Sequence, residues 1–254
     1  MNDEATCTYY SIIDQMTWGH RRLNDTFGQC GVPKVAWHID PFGHSREQAN
    51  LFAAMNFDAF FFARQDFQDR EQRIRTKTLE HMWQGSDDRG SDGDLFTSMM
   101  HLGYGSPPGF HWDLPAGDLA DPIIDNVNSE EYNAAQYVEK LVTFAKSYAG
   151  AYTTNNLLVP MGSDFQYQDA HVWFKNMDKL IKNVNKRSKD VKIFYSTPSC
   201  YAKAVHAANR TWSSKRDDFF PYASDEHAYW TGFYTSRPAL KRFERVGNNI
   251  LQVF

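Results

Sequence analysis

The chain has 254 residues, enough for a sizeable core and one or two domains, with 42% hydrophobic residues and a formal net charge of −4. That balance gives no reason to expect a nucleic acid or an anionic membrane surface as partner, and no apolar run is long enough to span a bilayer. Aromatic residues make up 15%, and the three cysteines (Cys7, Cys30 and Cys200) do not form a disulfide scaffold.

Lys34 to Ile39 reads as a strand that stops at Asp40-Pro41, because proline has no amide donor to continue a ladder. The Asp40 carboxylate is thereby placed at the C-terminal edge of a strand, where parallel α/β proteins build their active sites. Phe42 follows two residues on. Ser45-Arg46-Glu47-Gln48 reads as a capping box opening a helix from Arg46 to about Met55. Phe57 to Ala63 is a continuous apolar run suited to a buried strand, and Arg64 follows it onto the same rim. Residues 85–94 form a polar, glycine-rich loop. Tyr104 stands between Gly103 and Gly105, and Pro107, Pro108, Pro115 and Pro122 keep 105–128 mostly irregular.

A long helix is predicted from an N-cap at Ser129 to Gly150, with Glu130 and Glu131 in its first turn. Leu157 to Met161 reads as a short strand leading into Gly162-Ser163-Asp164-Phe165, a second strand-edge carboxylate. A helix from about Ala170 to Lys186, a strand from Val191 to Tyr195, and a helix opened by Pro198 and running to about Ala208 complete a βαβα order. That order implies an α/β domain: a parallel sheet with crossover helices, open or closed as a barrel. After residue 215 the pattern changes. Ser236 can cap a helix from Arg237 onward, so 1–215 is expected to be the α/β domain and 216–254 the start of a helical bundle domain. The chain opens without a leader and closes inside an apolar helical pattern, so a segment of a longer protein is expected.

Asp40 and Asp164 each follow an apolar strand and precede an aromatic residue. Two carboxylates on one rim are the minimal equipment for glycoside hydrolysis; the plain alternative is an Asp-Pro turn and a capped bend. His38 and Asp40 face the same side of a strand, which leaves a shared ion open, but His38 and His44 read better as hydrogen-bonded core groups. Arg64 could bind a carboxylate or a sugar hydroxyl, or be a surface charge. The aromatic run Tyr229 to Pro238 reads as a packed junction between domains. Two sequons, at Asn24 and Asn209, give modest support for a secretory compartment.

Three runs carry a resemblance that covers essentially the whole chain: VAWHIDPFGHSREQANLFAAMNFDAFFFARQDFQDR, LLVPMGSDFQY and YWTGFYTSRPALKRFER, in that order. They resemble glycoside hydrolase family 38, in its lysosomal-type acid α-mannosidase branch. The resemblance implies retaining hydrolysis of terminal α-linked mannose from N-glycan oligosaccharides, with one zinc ion, in the lysosome or secretory-pathway lumen. Position by position it makes Asp40 the nucleophile and a zinc ligand, and Asp164 the general acid/base. Phe42, Arg64 and Tyr104 match substrate-binding residues, and an α/β barrel-like catalytic domain followed by a helical bundle is the implied fold. The family's other zinc ligands, an upstream His-x-Asp pair and a downstream His, have no counterpart here. The rest of the polypeptide is therefore needed as partner, and the segment alone is expected to bind zinc poorly and to be inactive. A Golgi-type processing mannosidase and a non-catalytic mannoside-binding protein are the alternatives; a polysaccharide deacetylase would need a metal triad that the sequence does not offer.

Overall fold

A computed structural model describes residues 1–113 and 119–253. In chain order its elements are α1 (Tyr9–Phe27), β1 (Val35–His38), α2 (Arg46–Ala54), β2 (Ala59–Phe62), α3 (Phe67–Thr76), β3 (Glu80–Gln84), β4 (Asp94–Met99), α4 (Ala134–Ala149), α5 (Ala170–Arg187), α6 (Pro198–Ala207), β5 (Ser213–Lys215), α7 (Gly232–Thr235) and α8 (Pro238–Val253). They form two compact units. One holds residues 1–75, 79–101 and 211–254, the other 76–78 and 102–210. No described helix is long and apolar enough to cross a membrane.

The first unit is built on a five-stranded sheet in the order β1-β2-β4-β3-β5. β2 is apolar along its length because both of its faces are buried. It pairs in parallel with β1, Val35 opposite Ala59 and His38 opposite Phe62, and in parallel with β4 on its other side. β3 runs antiparallel to β4, since residues 85–93 are too short a link for a crossover, and β5 lies parallel to β3. The sheet is thus mostly parallel, within the expected α/β class. Phe52, Phe60, Phe61, Phe62, Leu79, Trp83 and Met99 are fully buried around it. Ser45 caps α2 as its sequence predicts, its hydroxyl accepting from the Glu47 amide.

The second unit packs α4 against α5. Both helices keep apolar residues at helical spacing, and Tyr137, Leu141, Trp173, Met177, Leu180 and Val184 close over Phe110, Trp112 and Ile123.

Four local expectations change. Helix α4 begins at Ala134 rather than after Ser129. Asn133 fixes its start, accepting from the Ile124 amide and donating to the Pro122 carbonyl, while Ser129 only closes a turn by accepting from the Glu131 amide. The segments Leu157–Met161 and Val191–Tyr195, predicted as strands, join no ladder among the described residues. In the second of them the Asn185 side chain takes both backbone groups of Ile193 that a neighbouring strand would have paired. Ser236 closes α7, donating to the Gly232 carbonyl, and Arg237 takes φ 53° before Pro238 opens α8. Segments α1, α3, β3, β4 and β5 received no assignment from the sequence. Pro115, one of the four prolines expected to keep 105–128 irregular, lies outside the described residues, as does Phe254.

Candidate active site

The parallel register that sets His38 opposite Phe62 also brings the residues two steps further on, Asp40 and Arg64, to one rim of the sheet. Arg64 meets Asp40 with two nitrogens: Nε donates to Oδ1 at 2.7 Å and a terminal guanidinium nitrogen lies 2.5 Å from the same oxygen. The Asp40 side chain keeps 47% of its exposure, so this carboxylate is oriented without being sealed off. The guanidinium lies over two rings, 5.1 Å from the centroid of Phe42 and 5.0 Å from that of Trp230. Phe42 in turn packs against Trp230 at 4.8 Å and Phe233 at 5.4 Å. A mostly apolar cavity of about 320 Å³ opens there, lined by Phe42, Ala228, Tyr229, Trp230, Gly232 and Phe233. A carboxylate beside flat aromatic faces is suited to a ligand with one apolar face and reacting oxygens at its edge, which is how a pyranose presents itself. Of the run Tyr229 to Pro238, read as a domain junction, Tyr229, Trp230, Gly232 and Phe233 line this cavity. Its density of rings around Gly232 was the available signal.

The turn carrying Asp40 is held from several sides. Gly43 has φ 103°, and a β-carbon there would come within 2.3 Å of the Phe220 ring, so only glycine fits. The His44 backbone exchanges two hydrogen bonds with Phe219, at 3.2 and 2.8 Å. Below it lies a closed polar cluster whose centre, Glu4, sequence reasoning passed over, because a lone acid in a polar opening segment carries no pattern. Glu4 Oε1 accepts from His38 Nδ1 at 2.7 Å and from His44 Nδ1 at 2.8 Å, and Oε2 accepts from the Ser45 amide at 2.7 Å. His44 Nε2 donates to the Arg64 carbonyl at 3.0 Å. The hydrogen-bonded reading of His38 and His44 holds. Burial pushes the Glu4 carboxyl up, but the charge of His44 and the hydrogen bonds from both histidines outweigh it and hold the group below the usual carboxylate range. Burial lowers His38, more than its bonds to Glu4 raise it.

Glu4, His38 and His44 offer three ligand atoms within 4.8 Å of one another, a grouping that could hold a metal ion. Their spacing suits protons better. Two ligand atoms on one tetrahedral zinc, each about 2.0–2.1 Å from it, stand roughly 3.3 Å apart, whereas Oε1 sits 2.7 and 2.8 Å from the two nitrogens. Asp40 belongs to no grouping of three ligands among the described residues. The residues present therefore do not make a zinc site around Asp40.

Asp164 and Tyr104 belong to the second unit. Asp164 is exposed in the turn that precedes α5, where Phe165 and Tyr167 take φ 59° and 67°. Tyr167 anchors this turn, its hydroxyl donating to the Met161 carbonyl at 2.6 Å and its ring stacking on Trp173 at 4.8 Å. Tyr104 lies half-buried in a bend two residues before Ser106, whose amide donates to the Gly162 carbonyl at 2.8 Å, so the Tyr104 and Asp164 segments are tied together. Of the sequon asparagines, Asn24 lies in the last turns of α1 and accepts from Gln29; Asn209 is exposed just after α6 at φ 47°.

The profile of the Glycosyl hydrolases family 38 N-terminal domain matches residues 1–225. The chain is 50% identical over its whole length to the lysosomal alpha-mannosidase of Homo sapiens, covering 25% of that protein. It is 45% identical to that of Dictyostelium discoideum, again over its whole length and 25% of the relative. An alpha-mannosidase of Arabidopsis thaliana is 47% identical over 96% of the chain and 24% of its own length. The chain thus spans about a quarter of the curated relatives it matches. Among solved structures, an alpha-mannosidase from Enterococcus faecalis V583 superposes with a TM-score of 0.60 at 17% identity, over 86% of this chain and 21% of that one, a likeness of fold.

Proposed function

This chain belongs to glycosyl hydrolase family 38, and on that premise we propose that it forms the catalytic region of a retaining α-mannosidase that releases terminal mannose from N-glycans during glycoprotein catabolism in the lysosome. The observation that carries the proposal is the Asp40–Arg64 pair at the edge of the Phe42–Trp230 cavity. Asp40 attacks the anomeric carbon while Asp164, protonated, gives its proton to the departing glycosidic oxygen. Asp164 then takes a proton from water, which displaces Asp40 and frees mannose with its configuration kept. Arg64 fixes which Asp40 oxygen faces the sugar, Phe42 and Trp230 carry its apolar face, and Tyr104 binds a hydroxyl.

The zinc implied by the family belongs to the longer polypeptide, where Asp40 supplies one ligand and residues outside this chain supply the rest. This chain alone binds zinc weakly and turns over no substrate. The helical region opened by α8 continues in that polypeptide, and Asn24 and Asn209 carry glycans.

The test compares this chain with the full polypeptide on an aryl α-mannoside, following the first-formed anomer by proton NMR. α-Mannose released by the full polypeptide alone supports the reading. Release of β-mannose would replace retention with inversion. Mannoside binding without turnover by the full polypeptide would make it a lectin-like protein.

A further inference from the structure

Arg64 lies over the Phe42 and Trp230 rings of the cavity wall and holds Asp40, and the residues flanking Asp40 are bonded to a group near the start of the chain. Glu4 is the hub. Its carboxylate has no exposure, and its two oxygens take three donors: His38 Nδ1, His44 Nδ1 and the Ser45 amide. Two of those donors bracket the turn that presents Asp40, from just before it at His38 to just after it at Ser45. The third, His44, continues the chain of bonds. A carbonyl can only accept, so the Nε2 that meets the Arg64 carbonyl carries a proton. Both ring nitrogens of His44 are thereby engaged, Nδ1 by Glu4 and Nε2 by the Arg64 carbonyl. The ring is also stacked on Phe62 at 4.0 Å. From the Arg64 carbonyl the line runs through that residue's own side chain to Asp40 Oδ1.

We propose that Glu4 is a positioning residue for the Asp40–Arg64 pair, acting through His44 on the backbone of Arg64 and through His38 and Ser45 on both ends of the turn that bears Asp40. Glu4 touches neither substrate nor reacting atoms. It fixes where the nucleophile and its guanidinium partner stand, and a misplacement of about 1 Å at such a group can cost on the order of 10²-fold in rate. The catalytic part of this inference rests on the mannosidase reading; the geometric part does not.

The test separates the two. In this chain, hydrogen exchange at the Arg64 Nε–H, assigned by its loss in Arg64→Lys, reports the bond to Asp40. Glu4→Gln keeps the shape of the side chain and removes its charge, and is expected to speed that exchange at least about tenfold. Ile12→Val, a buried change in α1 of the same unit, is expected to lower Tm and leave that exchange unchanged. If Glu4→Gln does not fold, Glu4→Asp takes its place: its shorter carboxylate cannot reach all three donors, and a smaller acceleration is expected. Unchanged exchange in the folded Glu4 variant, or equal acceleration by Ile12→Val, overturns the proposal. In the full polypeptide, Glu4→Gln is expected to lower kcat by about 10²-fold with KM within roughly threefold. An unaltered kcat despite faster exchange would confine Glu4 to structure. A wild-type polypeptide without mannosidase activity would sink the functional reading and leave the exchange result standing.

Discussion

The two carboxylates assigned to catalysis are supported in opposite ways. Asp40 sits on a turn clamped by a buried acid, two buried histidines, a glycine under an aromatic ring and a two-bond bridge to Phe219. Asp164 sits exposed on a turn whose principal anchor is one tyrosine, itself resting on an apolar core. The first unit buries Glu4, His38 and His44 beside Asp40, while the turn that carries Asp164 rests through Tyr167 on a core holding Trp173, Leu180 and Val184. The contrast matches the chemistry assigned to each. A nucleophile needs a fixed line of attack, whereas an acid/base must exchange protons with water and tolerates more freedom.

The most direct way to break this comparison is to neutralise each carboxylate in the full polypeptide. Asp40→Asn is expected to lower kcat by about 10⁴-fold or more on any mannoside, because no leaving group replaces a missing nucleophile. Asp164→Asn is expected to lower kcat/KM, which reports the first step, by about 10²–10⁴-fold on an alkyl mannoside and far less on a dinitrophenyl mannoside, whose leaving group departs without a proton. Equal losses on both substrates for Asp164→Asn would remove it from the acid/base role.

The next test asks whether the second unit depends on its apolar core alone. Trp173 is fully buried against Trp112 and Tyr167. Trp173→Ala is expected to destabilise that unit by about 3–5 kcal/mol. Hydrogen exchange read by mass spectrometry should show α4 and α5 losing protection while β2 and β4 keep theirs. Loss of protection across both units alike would mean that they unfold as one body.

What the sequence made legible follows the same division. The strand ending at Asp40-Pro41, the Ser45 cap and the apolar run of β2 each have a local cause, and each was read correctly. The loss of the Leu157–Met161 and Val191–Tyr195 strands depends on where their backbone groups find partners, which the strand pattern itself does not show. That Asp40 and Arg64 share one rim was legible because a strand register of fixed period brings them together. Glu4 was not, because its role rests on contacts 34 to 41 residues away. Trp230 and Phe233 were visible as aromatic residues but not as neighbours of Phe42.

A smaller effect probes the clamp itself. Gly43→Ala puts a β-carbon into the Phe220 ring at φ 103° and is expected to cost about 1–3 kcal/mol in the first unit. Thermal unfolding of the purified variant measures it, and an unchanged Tm would show that the turn relaxes freely and is not clamped.

The most gradual test is pH, because only the first unit buries histidine among the described residues. His81, in β3 against Phe219, is held down to about 3, first by burial and then by the charge of Arg73. The folded unit therefore refuses a proton that the unfolded chain accepts below its ordinary value of 6.5. The stability this contributes is fully present above that value and declines as pH falls toward the folded pKa, by about 1.4 kcal/mol per pH unit. His38, also lowered by burial, has the same sign. Glu4, held below the ordinary value of 4.5, adds a further loss only under that pH. Urea unfolding between pH 7 and 5 should therefore show protection falling in β2 and β3 and staying level in α4 and α5. His81→Leu should flatten the slope of the first unit, and an unchanged slope in that variant would place the sensitivity at His38 or at His101, which burial and the charge of Arg70 hold down to about 4. On the proposed reading, the pH liability lies in the unit that carries Asp40. The exposed acid/base would sit on a scaffold indifferent to pH over the same range, so activity lost on acidification should return on neutralisation as the first unit refolds.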